Sequence, residues 1–389
     1  MSFFLKARKV ISEKRLLKTI KKKLFPYLRG FQLYFKPNNK IIKIYISKEN
    51  KIDKKDLSLA QRIFKSYKQM KIDQKKKSYL YKPSSLWQSH IDNDFSFLLE
   101  SYKSNDVEKF LFFLQNFGNW NNYLGVENQN LIKKFNKNLF LRKFLSEEIF
   151  GGQLELWKFF NKGSNFSELE MPMYGNQIGA KIDNNFVVIG SFVNDIYTKN
   201  LKNYFEKQDG QILEIGGGYG KFAYYLLKDL KNFTYIDIDI PETLTLASYY
   251  LSKCFPNKKN FFYGEQIFSK QIKIAYDLIF LPPWEIENLE NNTFDLAINK
   301  NSLGEMQPET AKNYLKHIHR TSKYFFSMNH EYFRNHFTDG KKSLINKEYN
   351  LDGKFKELIR YPDLGHLTYE NNKIDFDKNT FFYIYEKKY

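Results

Sequence analysis

A run of glycines marks a place where a ligand can contact the main chain. The stretch LEIGGGYGKF contains Gly216, Gly217, Gly218 and Gly220. Glycine has no Cβ and adopts positive φ without strain, so a ligand can approach such a turn closely. The chemistry expected here is therefore the binding of a ligand that lies across the turn, and all four glycines are candidate binding residues.

The spacing of these glycines distinguishes two classes of ligand. A dinucleotide site needs the pattern G-x-G-x-x-G, in which the third glycine packs the helix against the strand. Here the pattern is G-x-G-x-G, and Lys221 occupies the position of that third glycine. The spacing argues against NAD and favours S-adenosyl-L-methionine, which has no phosphate but has an amino-acid moiety and a ribose that must lie close to the main chain.

Two carboxylates stand where this ligand needs hydrogen-bond acceptors. Glu214 precedes the glycines and can accept, directly or through water, from the ammonium group of the methionine moiety. Asp239 follows Gly220 by 19 residues, at the end of the next predicted strand, where it can accept from both ribose hydroxyls. Each such charge-assisted bond contributes about 1.5–3 kcal/mol. Asp237 shares the face of Asp239 by strand alternation and is the alternative ribose ligand.

A later polar segment, FDLAINKNSLGEM, supplies groups that can act on a methyl acceptor. Glu305 is the predicted general base, which withdraws a proton from a hydroxyl; the alternative is a helix-terminal acid stabilised by the helix dipole. Asn299, Asn301 and Ser302 either orient ligand hydroxyls or cap the following helix. His330, after the next strand, is the second candidate for the base.

The tetrapeptide LPPW ends at Trp284 and resembles the Asn/Asp/Ser-Pro-Pro-aromatic motif of methyltransferases that act on base amino groups. Its first residue is leucine, which cannot accept a hydrogen bond. We therefore interpret LPPW as a turn in which Trp284 stacks on adenine and Glu285 reaches the adenine amino group, or as a turn with a core tryptophan.

No acidic cluster has the spacing of metal ligands, so we predict no metal site and leave metal dependence open.

The elements that must position these residues follow one another as strands and helices after residue 181. The predicted strands are QILEIGG, TYIDID, YDLIFL, FDLAIN and KYFFSM, and the predicted helices are FAYYLLKDL, PETLTLASYYLSK and TAKNYLKHIHR. Such alternation is typical of a parallel α/β sheet. FKELIRY and FFYIYEKK are predicted to complete the sheet as an antiparallel finish at its edge.

Three segments together, ILEIGGGYGKFAYYLL, DIDIPETLTLASYYLSKCFP and FDLAINKNSLGEM, resemble class I S-adenosylmethionine-dependent methyltransferases, and most of all the sugar O-methyltransferase family. The similarity covers residues 81–334 approximately and includes SSLW and YGNQIG. It implies an α/β, Rossmann-like, seven-stranded and mostly parallel sheet with an antiparallel edge strand, and an active site at the carboxyl ends of the strands. It also implies methyl transfer to a sugar or glycan acceptor, nucleotide-linked or lipid-linked, in surface glycan biosynthesis.

Charge is concentrated at one end of the chain. Residues 1–82 contain 25 Lys/Arg and 5 Asp/Glu, a net charge of +20, whereas the remainder carries −1. From Phe3 to about Leu33, apolar residues such as Val10 and Leu17 recur among lysines, which predicts a basic amphipathic helix that lies on an anionic membrane or packs on its own protein. We predict a basic arm and exposed connector (1–82), a helical lid or substrate region (83–180) and a cofactor-binding methyltransferase domain (181–389).

Composition narrows the class of protein. Cys254 is the only cysteine, which excludes a disulfide framework and indicates a reducing, cytoplasmic setting. No apolar run is long enough for a spanning helix, and the opening MSFFLKARKV is too charged for a signal peptide. We expect an enzyme that is cytoplasmic and peripheral at the inner membrane face, without a nucleic-acid partner. The alternatives are an RNA methyltransferase that uses the basic arm and a non-catalytic interaction protein on the same fold.

Overall fold

Two β-sheets organise the part of the chain that the structure describes. The structure is a computed structural model and describes residues 20, 23–36, 41–119, 129–204, 209–351, 353–366 and 379–388. The strands are β1 (Ile42–Tyr45), β2 (Gly179–Ile182), β3 (Asn185–Val187), β4 (Asp209–Ile215), β5 (Asn232–Ile238), β6 (Asn260–Phe262), β7 (Leu278–Leu281), β8 (Phe294–Lys300), β9 (Ser322–His330), β10 (Phe355–Pro362) and β11 (Thr380–Lys387). Strands β1–β3 form a small antiparallel sheet, and the other eight form the main sheet.

Helices surround the main sheet and form most of the chain before it. They are α1 (residues 23–34), α2 (Leu57–Gln74), α3 (Ser85–Asp94), α4 (Ser96–Ser104), α5 (Val107–Asn116), α6 (Gln129–Asn136), α7 (Leu139–Phe144), α8 (Gly151–Phe160), α9 (Ser191–Lys202), α10 (Lys221–Asp229), α11 (Pro241–Cys254), α12 (Lys270–Ala275) and α13 (Pro308–Thr321). Across the described ranges, none of these helices is long and apolar enough to cross a bilayer.

The order of strands in the main sheet is β10-β11-β9-β8-β4-β5-β7-β6. Strand β4 lies between β5 and β8 and is parallel to both. The chain leaves β4 towards β5 on one side and returns to β8 on the other, so the order reverses at β4. In open α/β sheets a ligand site forms outside the carboxyl ends of the strands at such a reversal. The glycine turn, Asp239 and the segment before α13 all follow strands that end at this edge.

The predicted class of fold, a Rossmann-like and mostly parallel α/β sheet, is confirmed. The strands FKELIRY and FFYIYEKK pair antiparallel at the end of the sheet, as expected. Two details differ from the prediction. The described main sheet has eight strands instead of seven because of the short strand β6, and the antiparallel strand β11 lies one position inside the edge, between β9 and β10.

Residues 36–82 differ from the exposed connector that the sequence predicts. Strand β1 joins the small sheet by pairing with β2, and helix α2 packs on α11. Ile63, Tyr67 and Met70 of α2 are buried. The hydroxyl of Tyr67 donates to Glu242 Oε1 at 3.2 Å, and Lys71 Nζ donates to the same oxygen at 2.7 Å. The apolar residues of α2 have helical spacing, but the surrounding lysines hide this pattern.

The helical region before the sheet shares a core with it. Phe95, just before α4, and Phe110 and Phe113 of α5 belong to the same buried cluster as Ile212 and Leu213 of β4. The helical region is therefore packed on the domain that carries the glycine turn. The boundaries of 1–82, 83–180 and 181–389 stay a prediction, and Val10 and Leu17 of the predicted basic helix lie outside the described residues.

Candidate active site at the carboxyl edge of the sheet

The glycine turn between β4 and α10 has the backbone conformation that its sequence suggests. Gly216, Gly218 and Gly220 have φ of 76°, 63° and 91°, a region that other residues rarely adopt. A Cβ at Gly216 would collide with the side chain of Ser302. Gly216 and Gly218 line a cavity at the edge of the sheet. These two glycines are placed where a ligand could lie against the main chain.

The other two glycines serve packing within the protein. A Cβ at Gly217 would lie 2.8 Å from Asp237 Oδ1, and one at Gly220 would lie 2.8 Å from Leu251 Cγ. Neither glycine is among the described residues that line the cavity. The structure thus separates the run into two glycines that face the cavity and two that allow the turn and α10 to pack against β5 and α11.

The cavity encloses about 750 Å³ of empty space, part of it open to solvent. Its walls come from five segments that are distant in sequence: the glycine turn, the end of β5, the turn after β7, the end of β8 with the loop and helix α13 that follow it, and the segment that leads into α3 with the start of that helix. The described residues that line it are Leu80, Tyr81, Lys82, Pro83, Ser84, Trp87, Gly216, Gly218, Asp239, Ile240, Pro283, Lys300, Asn301, Ser302, Glu305, Met306, Gln307, Thr310 and Tyr314. The helical region therefore contributes one wall of the site.

Asp239 lies at the end of β5 and faces the cavity, as predicted for a ribose ligand. Its Oδ2 accepts from the N–H of Gly218 at 3.0 Å, and its Oδ1 accepts from the N–H of Ile240 at 2.7 Å. Burial raises the pKa of Asp239 to about 6, although these hydrogen bonds favour the charged form. The hydrogen bond to Gly218 ties this carboxylate directly to the glycine turn.

Two further carboxylates lie behind the turn, on neighbouring strands. Glu214 and Asp237 are paired in the register of β4 and β5, and both are buried. Glu214 Oε2 accepts from the hydroxyl of Tyr235 at 2.7 Å, and burial raises the pKa of Glu214 to about 7. Neither oxygen of Asp237 has a hydrogen-bond partner of standard geometry. Burial, followed by the charges of Asp239 and Glu214, raises its pKa well above the usual range.

This concentration of buried acids has a clear electrostatic consequence. Carboxylates in a low-dielectric environment disfavour one another's charged forms, and a nearby cation stabilises them. The three acids Glu214, Asp237 and Asp239 surround a turn that lines an open cavity. The site is therefore suited to a ligand that carries positive charge. Neither Glu214 nor Asp237 lines the cavity itself, so Glu214 would act on such a ligand from behind the turn or through water.

Glu305 also lines the cavity and lies in the helical turn after β8. Its Oε2 accepts from Trp87 Nε1 at 2.8 Å, and its main-chain oxygen accepts from Ser84 Oγ at 2.8 Å. Burial raises its pKa to about 7, and the hydrogen bond from Trp87 lowers it in part. Glu305 is the acidic residue of the short 3-10 helix Leu303–Glu305, and the acid in the first turn of α13 is Glu309. Both roles predicted for Glu305, the general base and the helix-terminal acid, stay predictions.

His330, the second candidate for the base, is outside the lining of the cavity. Its ring packs beside Gly304, and its Nδ1 lies 3.0 Å from the side-chain amide nitrogen of Asn379.

Trp284 is also outside the lining of the cavity. Its side chain is buried, and its Nε1 donates to the hydroxyl of Tyr263 at 3.3 Å. Of the LPPW turn, Pro283 is the residue that lines the cavity, which matches the alternative reading of Trp284 as a core residue.

Asn299 holds the site together from inside the protein. Its side-chain amide donates to the main-chain oxygen of Ile215 at 2.9 Å and to Ser302 Oγ at 2.6 Å. Its Oδ1 accepts from the N–H of Leu303 at 3.1 Å and from Asn329 Nδ2 at 3.0 Å. These hydrogen bonds join the end of β4 to the turn that carries Glu305. Asn299 itself is buried and is not among the residues that line the cavity.

Sequence reasoning about single residues missed the wall contributed by the helical region. Ser84 is the N-cap of α3, where its hydroxyl accepts from the N–H of Trp87 at 3.4 Å. This cap sets the direction of α3 so that the indole points at Glu305. Tyr81 is anchored through Glu287, with which it forms a short hydrogen bond, and Asn313. The segment YKPSSLW is part of the resemblance, but nothing in its pattern indicates the contact.

Trp87→Phe tests whether the hydrogen bond from the indole N–H lowers the pKa of Glu305. A hydrogen bond to a carboxylate favours the charged form, so its loss should raise the pKa of Glu305 above about 7. The acid limb of the pH–rate profile for methyl transfer should then move to higher pH, while activity at high pH changes little. The matched control is Trp157→Phe, since Trp157 donates to Asp195 away from the cavity. An unchanged acid limb in Trp87→Phe would show that the indole does not act on the base.

Among the described residues, no group of three or more His, Cys, Asp or Glu side chains is arranged to hold a metal ion. No model of a protein family matches the chain, and no curated protein matches it either.

Solved structures match about half of the chain. One is the mitomycin 7-O-methyltransferase MmcR, at 10% identity and a TM-score of 0.33, over 51% of this chain and 55% of that one. Another is a SAM-dependent methyltransferase from Aquifex aeolicus, at 17% identity and 0.30, over 49% and 87%. A third is magnesium protoporphyrin IX methyltransferase from Synechocystis PCC 6803 with bound SAM, at 8% and 0.33, over 51% and 82%. Identities and TM-scores this low do not establish a function for this chain, so the function is argued below from the geometry of the site.

Proposed function

We propose that the protein is an S-adenosylmethionine-dependent O-methyltransferase that acts on a sugar hydroxyl. One observation carries the proposal: a cavity at the reversal of strand order is lined by two carboxylates, Asp239 at the end of β5 and Glu305, whose pKa is raised to about 7. The first group suits a nucleoside ligand held at the glycine turn. The second suits removal of a proton from an acceptor near neutral pH.

The residues present fit this cofactor on grounds of charge. The buried oxygens of Asp237 lack hydrogen-bond partners of standard geometry, and Glu214 and Asp239 lie close enough to raise its pKa. A ligand with an ammonium and a sulfonium group would favour the charged forms of these acids, which burial and their mutual repulsion disfavour. Gly216 and Gly218 would lie against its amino-acid moiety and ribose. When bound, S-adenosylmethionine supplies an activated methyl group.

The chain's own residues then have defined tasks. Asp239 accepts from the ribose hydroxyls and thereby fixes the position of the nucleoside. Glu305 would accept the proton of the acceptor hydroxyl as that oxygen took the methyl group and the bond from the methyl carbon to the sulfonium sulfur broke, which leaves a neutral thioether. Trp87 and Ser84 hold Glu305 in place through its carboxylate and its main-chain oxygen. A positioned base of this kind contributes about 100- to 10,000-fold to the rate.

The lining of the cavity supports a sugar as the acceptor. Trp87 and Tyr81 provide aromatic surface, while Lys300, Asn301 and Gln307 provide polar side chains around the same space. A ligand with several hydroxyls on an apolar ring face satisfies both kinds of group. The resemblance of the chain to sugar O-methyltransferases points in the same direction. We extend the proposal to surface glycan biosynthesis, with a nucleotide-linked or lipid-linked acceptor and a cytoplasmic enzyme.

The proposed reaction is tested by mass spectrometry of cell-surface carbohydrate from cells with and without the gene. Loss of a single methyl group from one type of sugar residue, restored by the wild-type gene but not by Glu305→Gln, would support the proposal. Unchanged carbohydrate would contradict it. Methyl incorporation into RNA by the purified protein would favour the rival reading as an RNA methyltransferase, and failure to bind S-adenosylmethionine would favour a non-catalytic protein.

A further inference from the structure

Helix α1 is fixed to the body of the protein by one of its faces. Leu33 is buried, and a Cβ at Gly30 would collide with the main chain of Phe140 in α7. Arg29 forms an ion pair with Glu148, with Nη2 and Oε1 2.7 Å apart. This close contact sets the orientation of α1, so its opposite face points away from the protein.

The opposite face carries large apolar side chains that are exposed. Leu24, Leu28, Phe31 and Phe35 follow one another at helical spacing and are 50%, 62%, 49% and 72% exposed. The stripe continues onto the start of α7, where Leu139 is 45% exposed beside Phe140, whose ring lies 5.4 Å from that of Phe31. We call these five exposed residues the apolar stripe. Exposed apolar groups that cluster in this way mark an interaction surface.

Positive charge surrounds the apolar stripe. Residues 20–36 and residues 129–144 each contain five Lys/Arg and no Asp/Glu. Lys23, Lys36, Lys134, Lys137 and Arg142 are exposed among them. A groove beside α1, β1 and α7 is lined by Tyr34 and Leu139, by Lys43 and Arg142, and by Lys143 with its ion-pair partner Glu147. Cations therefore outnumber the acid in this groove, and they face the same space as the apolar side chains.

The combination of exposed apolar side chains with surrounding cations favours one class of partner. A second copy of the chain would bring two cationic surfaces together, which is unfavourable. RNA would engage the cations but leave Leu24, Leu28 and Leu139 exposed, because aliphatic side chains do not stack on bases. A bilayer with anionic headgroups satisfies both features, since apolar side chains enter the acyl boundary and lysines contact the headgroups.

We propose that α1 and the start of α7 bind the surface of an anionic lipid bilayer, with the apolar stripe inserted and the groove of Lys43 and Arg142 against the headgroups. This inference is independent of methyl transfer. It gives the protein a membrane-facing side, which would bring a lipid-linked acceptor close to the enzyme.

The test is flotation of the full chain with vesicles of phosphatidylcholine alone and of phosphatidylcholine mixed with phosphatidylglycerol. We expect binding to the anionic vesicles that weakens with salt, and about tenfold or greater loss in the double variant Leu28→Ser/Phe31→Ser. A second variant, Lys134→Glu/Arg142→Glu, should lose binding without altering the stripe. The control is Ile267→Ser/Ile274→Ser, which removes side chains that are 91% and 73% exposed elsewhere.

Each outcome decides the proposal. Equal binding to both kinds of vesicle, or unchanged binding in the two test variants, would overturn it. Self-association that disappears in Leu28→Ser/Phe31→Ser, or RNA binding that accounts for all effects of Lys134→Glu/Arg142→Glu while vesicle binding is absent, would overturn it in favour of that partner. Thermal unfolding of every variant shows whether a loss of binding reflects a loss of fold.

Discussion

Glu305→Gln should lower kcat for methyl transfer by about 100- to 10,000-fold while leaving the Kd for S-adenosylmethionine within about twofold of wild type. The amide keeps the shape of the side chain and can still accept from Trp87, but it cannot take a proton from the acceptor hydroxyl. Because Glu305 is bonded to Ser84 and Trp87 and Asp239 to the glycine turn, loss of the Glu305 carboxylate should affect the acceptor and not the nucleoside. Single-turnover kinetics and calorimetry measure the two quantities separately.

The pH dependence of the wild-type enzyme provides a second readout of Glu305. Burial raises its pKa to about 7, and only the deprotonated form acts as a base. The rate should therefore fall as pH decreases below about 7 and reach a plateau above it, and this acid limb should be absent in Glu305→Gln. Glu309→Gln is the matched control, because Glu309 lies four residues on and pairs with Lys341 outside the cavity. Full activity in Glu305→Gln, or equal loss in Glu309→Gln, would remove Glu305 from the proposed role.

Asp239→Ala should weaken S-adenosylmethionine binding by about 10- to 150-fold, the loss expected from one charge-assisted hydrogen-bond site of about 1.5–3 kcal/mol. Asp239→Asn should lose less, because the amide oxygen can still accept one bond. Burial raises the pKa of Asp239 to about 6, so wild-type affinity should also fall as pH decreases through this value. Titration calorimetry at several pH values measures both effects.

Asp183→Asn is the control for this series, since Asp183 is exposed in the turn between β2 and β3. If Asp239→Ala binds S-adenosylmethionine as tightly as wild type, the assignment of the ribose ligand is wrong. The buried neighbour Asp237, which the sequence also places on this face, would then be the next residue to replace.

The parts of the fold that the sequence predicts are those with long, regular patterns. The segments β4, α10, β5 and α11 each have a continuous apolar or amphipathic pattern bounded by glycine, proline or polar residues, and their order alone places the glycine turn and Asp239 at one edge. Strand β6 has three residues, which is too short for a pattern. The pattern of helix α2 is harder to recognise, because three lysines and Arg62 stand among the five apolar residues that it buries.

The candidate site also contains residues that the sequence predicts and residues that it does not predict. Asp239 and Glu305 follow strands of known direction, so the sequence brings them to the same edge of the sheet. The direction of a side chain at a strand end depends on packing, which is why His330, the last residue of β9, and Trp284, after β7, are not among the residues that line the cavity. The contact between Trp87 and Glu305 joins residues 218 positions apart, and only the packing of α3 on the main domain creates it.

That packing has a functional consequence for the helical region. Its residues Ser84 and Trp87 hold the proposed base, while the main sheet holds the proposed cofactor ligand. Neither part alone forms the cavity. Replacement of the segment that leads into α3 would therefore change the acceptor and the pH dependence of the reaction before it changes the binding of the cofactor.

The most direct measurement is a crystal structure of the protein grown with S-adenosylmethionine. The account predicts the nucleoside at the edge of the sheet, with its ribose hydroxyls on Asp239, its main-chain contacts at Gly216 and Gly218, and its methyl group directed towards Glu305. Crystals in which this cavity stays empty at saturating ligand, or in which the ligand lies elsewhere on the protein, would contradict it.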